Sequence, residues 1–227
     1  MPFFFWDPTM ILLIPAIILA IWAQMRVSST YAKYSKISSA RGATGAETAK
    51  FLLEYNGLSD VKIEAVEGKL SDHYDPRSRT VRLSSDNYRG RSLSAVAVAA
   101  HEVGHAVQDG TGYVPLKIRH SILPATNIGS WAAFPLFIVG FLFNTPLLMD
   151  IGIILFAGVV VFHLVTLPVE FNASHRALAQ LSSNGMLIEE ELKGAGKVLN
   201  AAAMTYVAAT AVSLIHLVRL LILRGSD

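Results

Sequence analysis

The chain of 227 residues is 52% hydrophobic and only 16% charged, with a mean hydropathy of +0.45. Soluble domains carry about 25% charged residues, so these figures exclude a disordered chain and a basic protein that wraps nucleic acid, and they argue against a soluble one. The net charge of +2 points to no charged partner, and with no cysteine there is no disulfide framework, thiolate metal site or cysteine nucleophile.

Residues 9–25 form the first uncharged apolar stretch. Nothing basic precedes it and no small-residue cleavage site is evident, so it reads as a membrane anchor rather than a signal peptide. Thr44-Gly45-Ala46-Glu47 has the form of a capping box, opening a helix that stops at Asn56-Gly57. Val61, Ile63 and Ala65 alternate with polar residues as a half-buried strand does. Asp75-Pro76 predicts a turn, with His73 as a turn residue. Residues 80–83 predict a second strand, structural or able to take a peptide by edge addition. Ser92 or Ser94 caps a helix of Ala and Val that ends before Gly110. Residues 122–143 and 147–167 are each long enough to cross a bilayer, and Asn144-Thr145-Pro146 joins them as a hairpin. Residues 198–222 make a fourth candidate span, with Arg219 near enough to its end to snorkel.

The charges are concentrated elsewhere. Residues 26–119 hold 14 of the 19 Lys and Arg and 10 of the 17 acids, whereas Asp150 is the only charge between Arg119 and Glu170. Arg26, Lys33, Lys36, Arg41, Lys117, Arg119 and Arg176 border one side of the spans. Residues 1–7 and 144–150 have no Lys or Arg. The positive-inside rule therefore predicts that residues 26–121 and 168–197 are cytoplasmic.

The predicted helix before Gly110 contains His101-Glu102-Val103-Gly104-His105. Histidines at i and i+4 share one helical face and can reach a single Zn²⁺. Glu102 is then placed to take a proton from water at the metal's open position. With 7 His among 227 residues, chance predicts such a pattern only about 0.01 times per chain, so a metal site outweighs a packing pair.

A catalytic zinc of this kind takes a third protein ligand. Gln108 and Thr111 stand where a metzincin has Gly and His, which excludes that class. A thermolysin-like site would draw a Glu from a downstream helix. Glu170 is the candidate: it follows the third span, and an even number of spans separates it from His105, so both fall on one side. The bland reading of Glu170 is an interfacial charge. Glu189, Glu190 and Glu191 read as a solvated helix face. His175 and Arg176 are candidates to stabilise an oxyanion or orient a ligand, against a juxtamembrane polar role. His163 reads as a packing residue of the third span.

The runs His73-Tyr-Asp-Pro, Thr80-Val-Arg-Leu-Ser, Arg91-Ser, Ala95-Val-Ala-Val-Ala-Ala-His-Glu-Val-Gly-His-Ala and Pro168-Val-Glu-Phe-Asn-Ala-Ser occur together and in order. In them the chain resembles the neutral zinc metallopeptidases of bacterial membranes (YugP type), over nearly its whole length. More distantly, the site is similar to that of the membrane gluzincins related to the CAAX prenyl protease and to HtpX. The resemblance implies His101, His105 and Glu170 as zinc ligands and Glu102 as catalytic base. Ser174 stands where the distant relatives often carry an Asp that buttresses a ligand histidine, and Asn172 where the nearer family usually has Asp. Changes of this kind around a metal lower affinity or activity about 10–100-fold.

The expected fold is a membrane α-helical bundle of about four transmembrane helices with an α+β zincin-like cytoplasmic domain. Residues 1–25 are the anchor, 26–121 the zincin-like domain, 122–167 the hairpin, 168–197 cytoplasmic helices carrying the third ligand, and 198–227 the last span. The expected function is that of a zinc metalloendopeptidase of the bacterial plasma membrane. It would act on protein or peptide substrates, in lipid, with no nucleic acid, and with room for a membrane partner or a homo-oligomer. The competing expectations are a latent protease that needs such a partner, and a scaffold whose structural metal is closed by a fourth ligand, His175 being the candidate.

Overall fold

The structure, a computed structural model, describes residues 8–225. The first residues of the expected anchor (1–7) and residues 226–227 lie outside it. The chain is mostly helical and divides into two units.

One unit comprises residues 25–116 and 169–204. It takes in the end of helix α1 (Leu13–Tyr34), then α2 (Gly45–Tyr55), β1 (Lys62–Val66), β2 (His73–Asp75), β3 (Thr80–Ser84), α3 (Ser85–Arg89) and α4 (Leu93–Gly110). The predicted capping box is present at α2: the Glu47 amide donates to the Thr44 hydroxyl, and the Thr44 amide donates to the Glu47 carboxylate. At α4 the cap is Ser92, whose hydroxyl accepts from the Ala95 amide. The helix includes Gly110, one residue beyond the predicted end.

The three strands form a small mixed sheet in the order β1-β3-β2, with β1 parallel and β2 antiparallel to β3. Two expectations are corrected here. His73 lies on a strand, paired with Arg82. β3 is the central strand, its backbone committed on both sides, so it offers no edge for a peptide. The alternate residues Val81 and Leu83 share one face of the strand and are fully buried.

Ala49, Leu52 and Leu53 of α2, Val81 and Leu83 of β3, and Val96, Ala100 and Val103 of α4 form the core of this unit. α4 is apolar on nearly every side and correspondingly buried. Its many alanines keep the surrounding elements close.

The other unit comprises residues 8–24, 117–168 and 205–225. It holds most of the four helices long and apolar enough to cross a membrane: Pro8–Tyr34, α5 (Val114–Leu142), α6 (Pro146–Ser183) and α7 (Glu189–Gly225). The predicted hairpin turn is present, with Asn144 at φ 48° and the Thr145 amide donating to the Gly140 carbonyl. A Cβ at Gly152 would lie 2.7 Å from the Ala133 carbonyl oxygen and one at Gly129 2.9 Å from that of Leu155. Small residues thus let α5 and α6 approach closely, as in membrane helix pairs. Phe137, Met149 and Phe156 fill the interior, while Trp131, Ile154 and Leu147 project outward. Asp150 pairs with Arg224 at 2.8 Å.

The helices run past the apolar stretches that predicted them. Glu170 does not begin a helix, as expected, but sits inside α6, which continues through Pro168 to Ser183. Beyond Pro168 the helix is sustained by a second apolar stripe, Val169, Ala173, Ala177 and Leu181, all buried.

Candidate metal centre

Two helices build the site. α4 presents His101 and His105 one turn apart, their rings edge to face with centroids 4.7 Å apart. α6 presents Glu170, next to Val169 on its buried stripe. The close approach depends on Gly104: a Cβ there would lie 2.7 Å from the carbonyl oxygen of Ala173. Glycine between the two histidines lets the α6 backbone lie directly on α4, within reach of a short carboxylate side chain.

Glu170 Oε2 lies 3.3 Å from His101 Nε2 and 3.6 Å from His105 Nε2. Among the described residues, the three ligand atoms form a group within 4.8 Å of one another, able to hold a metal ion. The spacing can be tested against zinc. Tetrahedral ligands at about 2.0–2.2 Å from the ion are separated by roughly 3.3–3.6 Å, and both measured edges fall there. Two imidazole nitrogens and a carboxylate also match the donor set zinc takes.

Each histidine is held from behind. His101 Nδ1 lies 3.2 Å from the Ser174 hydroxyl, and His105 Nδ1 lies 3.0 Å from Gln108 Oε1. Ser174 thus occupies the buttressing place expected of an acid, without a charge. Glu102 is buried next to the ligands. Burial raises its carboxyl above the usual range, and the nearby His101 and His105 offset this only in part. A base raised in this way is better matched to proton transfer near neutrality.

The other candidates lie outside the cluster. His175 is exposed, beside Leu178 and Leu192 in a shallow groove. Arg176 donates from Nε to Asn172 Oδ1 at 2.8 Å. His163 packs on Phe162, and His216 sits between Phe134 and Phe156. Glu189, Glu190 and Glu191 form the first turn of α7, where Glu191 accepts from the Ala40 and Ile188 amides. Gly104 and Gln108 were not singled out as functional from the sequence. The signal was present in the spacing: both lie on the helix that bears the histidines, Gln108 one turn beyond His105.

A pair of helical histidines completed by a buried glutamate, in a chain with four apolar helices, defines a membrane protein with a candidate metal site. The sequence profile of a family described as "Putative neutral zinc metallopeptidase" matches residues 9–225. A relative named "Putative membrane protease YugP", from Bacillus subtilis (strain 168), is 51% identical over 218 residues, covering 95% of this chain and 97% of the relative. No solved structure matches the chain. The chain belongs to this metallopeptidase family.

Proposed function

We propose that the protein is a zinc-dependent endopeptidase of the gluzincin type, embedded in the bacterial plasma membrane and working at the cytoplasmic face. The observation that carries this reading is the pair of ligand separations, 3.3 and 3.6 Å, among His101, His105 and Glu170. His101, His105 and Glu170 would hold the zinc. When bound, the ion supplies Lewis acidity for the peptide carbonyl and lowers the pKa of its water to about 7. Glu102 then takes a proton from the attacking water and passes it to the departing amine. Its burial keeps that proton from being lost to bulk solvent.

A structural metal is usually closed by four protein ligands. The three-membered ligand group, with His175 exposed elsewhere, favours the catalytic reading. The cytoplasmic assignment of residues 26–121 and 168–197 rests on the basic residues bordering the spans.

The test uses purified full-length protein in detergent or lipid. The parent should contain one zinc per chain and cleave an unstructured protein such as casein. Glu102→Gln should retain the zinc and lose at least about 10²-fold in rate, the lower range for a lost general base. A parent without stoichiometric zinc, or a Glu102→Gln variant as fast as the parent, would overturn the proposal.

A further inference from the structure

Gln108 is fully buried and makes hydrogen bonds at both ends of its amide. Nε2 lies 2.8 Å from the Val169 carbonyl oxygen and 3.0 Å from Asn172 Oδ1, and Oε1 lies 3.0 Å from His105 Nδ1. The orientation of this amide follows from its partners. A backbone carbonyl can only accept, so the Gln108 atom facing Val169 must be the NH₂ group. Asn172 Oδ1 is fixed in the same way, because it receives the Arg176 Nε–H at 2.8 Å and a guanidinium can only donate. Oε1 of Gln108 therefore faces His105, and His105 must carry its proton on Nδ1. Nε2, which faces Glu170, is then the ring nitrogen left to bind a metal ion.

From this chain of obligate donors and acceptors we infer that Gln108, with Asn172 and Arg176 behind it, is a positioning unit that locks His105 in the metal-binding tautomer and fixes the ligand-bearing turn of α6 against α4. The inference rests on the zinc reading above. The two histidines are held differently. Ser174 can donate or accept, so His101 receives orientation but no fixed tautomer. The polarity is anchored at Arg176, whose guanidinium offers donors and no acceptor. Gln108 also reaches Val169, the residue before Glu170, so one side chain registers ligands from both helices.

The probe is Co²⁺, whose visible spectrum reports ligand geometry, alongside zinc affinity by competition with a chelator. Parent, Gln108→Leu, Arg176→Gln and Arg176→Lys are compared as full-length proteins, with helical content checked by circular dichroism. Gln108→Leu should weaken zinc about 10–100-fold, the range for lost partners behind a metal ligand, and change the Co²⁺ spectrum. Arg176→Gln, farther from the metal and able to accept as well as donate, should weaken it several-fold, and Arg176→Lys, which like arginine can only donate, should recover part of the loss. Zinc affinity within twofold of the parent and an unchanged Co²⁺ spectrum in Gln108→Leu would overturn the inference. If that variant does not fold, the same result in Arg176→Gln would overturn it. A parent that binds no zinc refutes the metallopeptidase reading instead, and a parent that binds and cleaves while the variants match it refutes the positioning unit alone.

Discussion

Ser174 Oγ, 3.2 Å from His101 Nδ1, is the only side-chain partner seen behind that ligand among the described residues. Ser174→Ala should therefore weaken zinc about tenfold, at the low end of the range for such contacts, with an unchanged unfolding temperature. Chelator competition checks the first, and thermal unfolding of the two metal-free proteins the second. Away from the metal, Asp75 accepts from the Arg77 amide, the Ser78 hydroxyl and Arg82. Ser78 and Arg82 hold its carboxyl well below the usual range. The sign follows from linkage: a depressed carboxyl contributes stability that is fully present above its unfolded pKa of about 3.9 and is lost as pH falls below it. Asp75→Asn should consequently destabilise the protein at pH 7 and make no difference in strong acid. Unfolding measured across that pH range would refute this if the difference between the two proteins stayed constant.

At the scale of the elements, the critical contact is that between α4 and α6. Gly104→Ala places a methyl 2.7 Å from a backbone oxygen that belongs to a helix, not to a mobile side chain. α6 must move away, taking Glu170 with it. The expected cost is about 1–3 kcal/mol, as for other overpacked sites, together with loss of stoichiometric zinc. Thermal unfolding and metal analysis test the two effects separately, and a variant that kept its zinc would show that Glu170 does not depend on this approach. The elements with local signals were legible in the sequence. Thr44 and Glu47 mark the start of α2, and Val61, Ile63 and Ala65 mark β1, because capping and alternation act over a few residues. The pairing order of the strands was not legible. β3 between β1 and β2 is decided by which faces the helices cover, and a short run such as 73–75 carries no periodicity that would set it apart from a turn.

For the molecule as a whole, the absence of native cysteine makes single introduced cysteines unambiguous reporters of sidedness. If the positive-inside assignment holds, a membrane-impermeant maleimide applied to intact cells should label Thr145→Cys and leave Lys69→Cys unlabelled until the cells are broken. The reverse pattern would place the candidate site outside. The sequence by itself determined the number of apolar helices and the His-Glu-x-x-His helix, and it made Glu170 the candidate third ligand. Hydropathy and i, i+4 spacing are properties of short stretches, and the parity of the spans constrains which acids can share a side. Only the tertiary structure decided how the ligands are held. Glu170 lies on a helix continuous with the third apolar stretch, beneath a glycine that admits its backbone, and Gln108 ties the two helices together. Those relations depend on backbone approach and hydrogen-bond direction between residues some sixty positions apart, which no local pattern encodes. The low charge that first marked this chain as a membrane protein is thus joined to a small, buried set of polar side chains, in which Ser174 of α6 meets His101 of α4 and Gln108 of α4 reaches Val169 and Asn172 of α6.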